Sequence, residues 1–169
     1  MNDLLKKYLV NNDGPLEGEV IEDVASVVGG CIHQTWRIRL ASGEKLFAKT
    51  SPSKALAMLH FEMEGLKALQ SFADPKWLVI PHPISVAEVK GQSILIMNWI
   101  DLETNNQSSL GTGLALLHKA SSNKNPGSFG WNKDGYIGSG PQPKGWNENW
   151  GECFTKLRLI PQLIIASKW

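Results

Sequence analysis

Lys49, in the stretch "LFAKT", stands two residues beyond Phe47 and four beyond Lys45, a spacing that puts all three side chains on one face of an extended strand. A lysine so placed can hold the oxygens of a phosphate, and Phe47 beside it can wall an aromatic base. That chemistry needs two further parts: backbone that approaches phosphate closely, and an acid that fixes the ammonium. Gly29 and Gly30, followed by Cys31, offer the first in "VVGGCIHQTWRIRL". Glu62 and Glu64, in "HFEMEGLKAL", offer the second. At about 100° per residue their side chains point roughly 200° apart round a helix, so only one of them can face Lys49.

These residues need a sheet and a helix to position them. Leu4, Leu5, Tyr8 and Leu9 recur at helical spacing before the turn-forming "NNDGP", which predicts a short first helix. From Val20 the period changes to two: Trp36, Ile38 and Leu40 alternate with Arg37 and Arg39, and "ASGE" makes a tight connection to "KLFAKT". Three antiparallel strands are expected, at about 20–28, 33–40 and 45–50. A helix between Ser53 and Phe72 follows, entered through Ser51-Pro52, with Leu56, Leu59, Leu66 and Leu69 on its apolar side. Two more strands, about 83–89 and 93–99, flank a Lys90-Gly91 turn. Beyond "DLETNNQ", Leu110, Leu114, Leu117 and His118 mark another helix. The stretch 121–147 is dense in Gly, Pro, Asn and Ser yet carries Phe129, Trp131, Tyr136, Ile137 and Trp146, so it reads as an ordered, packed loop ahead of a last helix at about 148–166.

Composition bounds the rest. With 169 residues, 42% hydrophobic and 20% charged, the chain can bury one good core or two small lobes. A formal charge of +1 from well-mixed acids and bases gives no basic stripe for nucleic acid and no cationic face for a membrane. Two cysteines, Cys31 and Cys153, make no disulfide framework and, with four histidines, no zinc-ligand spacing. Cys153 reads as a small apolar filler. "MNDLLKKYLV" lacks the apolar core of a signal peptide, so a cytoplasmic protein is expected.

Turn, strand, strand lysine, helix glutamate, two strands and an apolar linker follow one another in the order of a protein-kinase small lobe. More specifically, "GGCIHQTWRI", "LFAKT", "FEMEGLKAL", "ILIMNWIDL", "LGTGLALLH" and above all "FGWNKDGYIGSGPQPKGWNENWGECFTKLRLIPQL" resemble the fructosamine kinase (ketosamine 3-kinase) family, relatives of the aminoglycoside phosphotransferases. The resemblance runs from about residue 18 to the end. It implies an α+β fold: a five-stranded antiparallel sheet plus helix at residues 1–100, binding nucleotide, then a linker and the first helices of a large lobe at 101–169.

It also implies ATP- and magnesium-dependent phosphorylation of a sugar hydroxyl on a ketosamine, either a small molecule or a glycated protein amine. The phosphorylated adduct then falls apart and frees the amine. Under that resemblance Lys49 holds the α and β phosphates, Glu64 holds Lys49, and residues 29–33, with Gly29, Gly30 and Cys31, form the loop over the phosphates. Met97 lines the back of the adenine pocket beyond the wall made by Phe47, the backbone of Asn98, Trp99 and Ile100 pairs with the adenine edge, and Asp101 lies by the ribose. Cys31, partly exposed near positive charge, reads as a redox handle able to join two copies through a Cys31–Cys31 disulfide.

One departure from the family is large. Its catalytic aspartate and metal-binding asparagine lie in a stretch like "HGDLWSGN", and nothing in residues 102–169 matches it. Asp134, in "KDGYIG", lacks the preceding His-Gly and the later asparagine, so no catalytic residue is assigned in this chain. The expectation is a polypeptide that is inactive or nearly so by itself. The alternative is a non-catalytic nucleotide-binding or redox-linked interaction module built on the same fold.

Overall fold

The first helix, α1 (Asp3–Val10), is capped by Asn2, whose side-chain oxygen accepts a hydrogen bond from the Leu5 amide at 2.9 Å. It buries Leu5 and Leu9 and leaves Leu4 exposed. The computed structural model describes residues 1–30, 32–102, 107–124 and 126–168. The described chain gathers into two compact units: Met1–Ser71 with Val79–Asn106, and Phe72–Leu78 with Gln107–Trp169.

The first unit is built on a sheet of five strands, β1 (Ile21–Ser26), β2 (Gln34–Leu40), β3 (Lys45–Pro52), β4 (Pro83–Val89) and β5 (Gln92–Asn98), in the order β1-β2-β3-β5-β4 with every pair antiparallel. Helix α2 (Leu56–Gln70) lies between β3 and β4 in the chain. The α+β class and the five strands are as expected. The Lys90-Gly91 turn is there too: both residues have positive φ, 45° and 83°, which suits the twist of a two-residue hairpin.

Alternation divides the sheet cleanly. Ile38, Leu40, Leu46, Ala48, Ile94 and Ile96 point to one face, where Leu5, Leu9 and Leu16 complete a buried core. Phe47, Leu95, Met97 and Val86 point to the other, against Leu59, Met63 and Leu66 of α2. The face that carries Lys49 is therefore the face that α2 covers. One boundary differs from expectation. Ser51-Pro52 does not open the helix; β3 runs through Pro52, held by the Ser93 hydroxyl near the Ser51 and Pro52 carbonyls, and a 3₁₀ turn at Ser53–Ala55 leads into α2.

In the second unit, α3 (Gln107–Lys124) approaches Trp77 and Leu78 so closely at Gly113 that a Cβ there would sit 2.7 Å from the Leu78 Cβ. The stretch expected as a packed loop is more regular than that: β6 (Phe129–Trp131) pairs with β9 (Gly145–Asn147), and β7 (Gly135–Ile137) with β8 (Gly140–Gln142). The last helix is also not single. It comprises α4 (Trp150–Phe154), a π-helical turn at Thr155–Leu159 and α5 (Ile160–Ala166). Pro161 explains the break: it has no N–H to give and its ring crowds the carbonyl four residues back, so the preceding turn widens, with the Ile160 amide reaching Thr155 O.

Candidate functional site

The Lys49 ammonium meets a carboxylate at 2.5 Å, and the carboxylate is that of Glu62. Both side chains are about three-quarters buried, at 25% and 29% exposure, so the pair is better shielded than a surface ion pair. This corrects the expectation that Glu64 holds Lys49. Leu59 and Leu66 are the residues of α2 that turn toward the sheet, and Glu62 lies three positions after the first and four before the second, on the same side of the helix. Reading the stripe from Leu59 and Leu66 alone would have found it. Leu69, expected on the apolar side of this helix, is exposed.

Lys49 lies opposite Thr35 on β2 and Leu95 on β5. Thr35 is buried, and its hydroxyl closes the glycine-rich loop from within: it lies 2.7 Å from the Val27 carbonyl and 3.2 Å from that of Gly29. Gly29 and Gly30 have φ of 132° and 130°, a conformation that side chains oppose, so the loop's path requires both glycines. Cys31, expected as a loop residue and redox handle, lies outside the described residues. Cys153 is buried and points its thiol at the Phe129 carbonyl.

His33, to which sequence reading gave no role, has its Nδ1 at 2.5 Å from the Ser51 hydroxyl. Burial lowers the pKa of this ring below the usual histidine value; Glu62 pulls it up and Lys49 pushes it down, both more weakly than burial.

Toward the other end of β3, Phe47 lies opposite the buried Met97 and packs against Trp99, their ring centroids 6.2 Å apart at 44°. The Trp99 indole N–H donates to Asp101 Oδ1 at 2.7 Å, and Lys45 Nζ lies 3.8 Å from the same oxygen. Asp101 thus orients the Trp99 ring. The Asn98 and Trp99 amides, expected to serve a base edge, are engaged within the protein, on the carbonyls of His82 (3.1 Å) and Lys45 (3.3 Å). The Ile100 amide has no partner among the described residues. Sequence reading also missed the brace behind this edge: the Asn98 side chain accepts from the His82 amide at 2.5 Å, and Gln70 donates to the Ile80 and Pro81 carbonyls.

The site thus has a cationic end at Lys49 under a glycine loop and an aromatic end at Phe47 and Trp99, joined by one strand face. It suits a molecule with a flat apolar head and an anionic tail. The sequence model of the family described as fructosamine kinase matches residues 9–169. The chain belongs to the fructosamine kinase family. Among its relatives are a probable ketoamine kinase of Synechocystis, 34% identical over 88% of this chain and 49% of its own length, and the chloroplastic protein-ribulosamine 3-kinase of Arabidopsis thaliana, 36% identical over 86% of this chain and 44% of its own. The chain spans about half the length of the curated relatives it matches. A solved structure assigned as a fructosamine-3-kinase from Haemophilus somnus shares the fold, with a TM-score of 0.75 over 89% of this chain and 50% of its own, at 22% identity. Another so assigned, from Thermobifida fusca, gives 0.66 over 89% and 51%, at 27% identity. No helix among the described residues is long and apolar enough to cross a membrane.

Proposed function

We propose that this chain is the nucleotide-binding portion of an ATP-dependent ketosamine 3-kinase, in which the γ-phosphoryl group passes to a sugar hydroxyl of a small or protein-borne ketosamine in the cytoplasm and the adduct then frees its amine. The observation that carries the reading is the Lys49–Glu62 pair at 2.5 Å, on the same strand face as Phe47 and beside the Gly29-Gly30 loop. Lys49, held by Glu62, neutralises phosphate charge. The loop supplies backbone near the phosphates, Phe47 and Trp99 wall the base, and the Ile100 amide donates to its edge.

In the transfer, the bond from the γ-phosphorus to the sugar oxygen forms as the bond to the departing ADP oxygen breaks, and the hydroxyl proton goes to a base. Magnesium, where held, would supply positive charge to offset that of the phosphates, and among the described residues no three His, Cys, Asp or Glu side chains converge to hold it. With no "HGD…N" stretch in residues 102–169, the 169-residue polypeptide by itself binds nucleotide without turning it over.

Titration with Mg-ATP tests this reading. Wild type binds, and Lys49→Met weakens binding at least about tenfold, the loss of one charge-assisted contact. Absence of binding, or binding that ignores Lys49→Met, overturns it. Phosphate transfer to ribulose- or fructose-modified lysine is expected to be undetectable for this polypeptide, and robust turnover would show that it carries its own catalytic base.

A further inference from the structure

His33 immediately precedes β2, whose register sets Gln34 opposite Thr50 and Thr35 opposite Lys49. Continued by one rung, that register brings His33 opposite Ser51, and the two side chains meet there, Nδ1 to Oγ at 2.5 Å. Ser51 and Lys49 are two residues apart on β3, so they share a face and lie about 7 Å apart along the strand. The imidazole therefore stands one same-face step from the ammonium, at the end where the glycine loop departs. Its tether is well anchored, because Ser51 is itself buried and its carbonyl is held by the Ser93 hydroxyl. The ring's other nitrogen, Nε2, makes no hydrogen bond among the described residues.

We infer that His33 is a second phosphate-contacting residue of this site: Ser51 orients the ring through Nδ1, and Nε2–H donates to the nucleotide's phosphates beside Lys49. The inference rests on the nucleotide reading above. With the Ser51 hydroxyl donating to Nδ1, the neutral ring carries its proton on Nε2 and is already a donor. A polyanion at that nitrogen favours the charged imidazolium, so binding draws a further proton from solution onto Nδ1, and the Ser51 oxygen then accepts. The charged groups acting on the ring are Lys49 from β3 and Glu62 from α2; Thr35 and Ser51, its neighbours on β2 and β3, are uncharged. Burial disfavours the charged ring in the empty site, which leaves room for proton uptake on filling. The ring's pKa is then higher in the filled site than in the empty one. Affinity accordingly rises as pH falls through the filled-site value, and levels off below the empty-site value.

The test is calorimetric titration of the chain with a non-hydrolysable ATP analogue and magnesium, in buffers of different ionisation enthalpy, for wild type and His33→Asn. Asparagine retains a hydrogen-bonding atom near the Nδ1 position and cannot titrate, so the loop tether survives while the proton site is removed. Wild type is expected to take up a larger fraction of a proton per nucleotide than His33→Asn. Its affinity advantage should grow about three- to tenfold between pH 8 and pH 6, within the tenfold that one pKa unit allows. The nucleotide's own titration is common to both proteins and cancels.

If wild type binds, Lys49→Met weakens it, and His33→Asn changes neither proton count nor pH dependence, the inference is overturned and the nucleotide reading stands. If wild type does not bind at all, that reading falls and the inference with it. A measurement free of any variant is the NMR titration of the His33 ring, which should move to higher pKa when the analogue is added; an unmoved curve overturns the inference.

Discussion

The two units of this protein use apolar side chains in opposite ways. In the first, strand alternation sends Leu46, Ala48, Ile94 and Ile96 into a core that water does not reach, and Leu59, Leu95 and Met97 into a second. In the second, Trp146, Trp150, Phe154, Ile160, Leu163 and Ile164 all remain exposed, and among the described residues Leu117 and Cys153 are the buried hydrophobic side chains there. Phe129, Trp150 and Phe154 do contact one another, with ring centroids 5.7 Å apart in each neighbouring pair, but they pack at the surface. Stability and site geometry thus reside in the sheet, and the apolar residues of the second unit form a surface that nothing among the described residues covers.

The largest expected effect follows directly. Ile96→Ala removes a fully buried side chain from the sheet core and is expected to destabilise by about 2–5 kcal/mol, whereas the equally apolar Leu163→Ala, 57% exposed, should change stability by no more than about 0.5 kcal/mol. Urea unfolding followed by far-UV circular dichroism measures both. Comparable losses would mean that Leu163 is buried in solution and would erase the contrast between the units.

That contrast also explains what was legible in the sequence. Period-two alternation around Trp36, Ile38 and Leu40, and the Lys90-Gly91 turn, report burial on one face of a sheet, and the strands came out where those patterns put them. Lys49 and Phe47 share a face because alternation leaves no choice. Glu62 was legible but was passed over: at about 100° per residue it lies within about 60° of Leu59, Leu66 and Leu69, whereas Glu64 points away from all three, and the expectation of Glu64 came from the family resemblance and not from the spacing. His33 and Gln70 were not legible at all, since each acts through a partner, Ser51 or the 80–81 carbonyls, that only the register of distant segments supplies. In the second unit, the π turn before Pro161 and the paired short strands depend on local backbone geometry that apolar spacing does not encode.

Two ion pairs of the same chemical kind sharpen the comparison at the next level. Lys49–Glu62 is partly buried at 2.5 Å, and Lys156–Glu152, a helical i,i+4 pair, is exposed at 2.8 Å with 62% and 55% exposure. Removing the Glu62 charge leaves the Lys49 ammonium without its anchor at the site. Glu62→Gln is therefore expected to weaken Mg-ATP binding about tenfold, the lower end of what a charge-assisted hydrogen bond is worth once partial exposure is allowed for. Glu64→Gln should stay within about twofold, because its charge lies on another side of α2. Equal losses from the two variants would return Glu64 to the role first expected of it.

The smallest effect belongs to Glu152. Its carboxyl is held below the usual glutamate value, first by the hydrogen bond from Lys156, then by that from Asn147, and by the charge of Lys156. A carboxylate whose folded pKa lies below its unfolded value stabilises the fold at pH above the unfolded value, and loses that contribution as pH falls through the folded one. Glu152→Gln is thus expected to lower the urea midpoint slightly at pH 7, to make progressively less difference as pH falls below the usual glutamate value, and to make less difference at high salt, where a surface pair is screened. Both side chains already meet water at the surface, so the fold recovers most of what the pair supplies by rehydrating them. A loss at pH 7 as large as that of Ile96→Ala, or one indifferent to salt, would show that this end of the second unit is buried in solution and that its aromatic surface is covered.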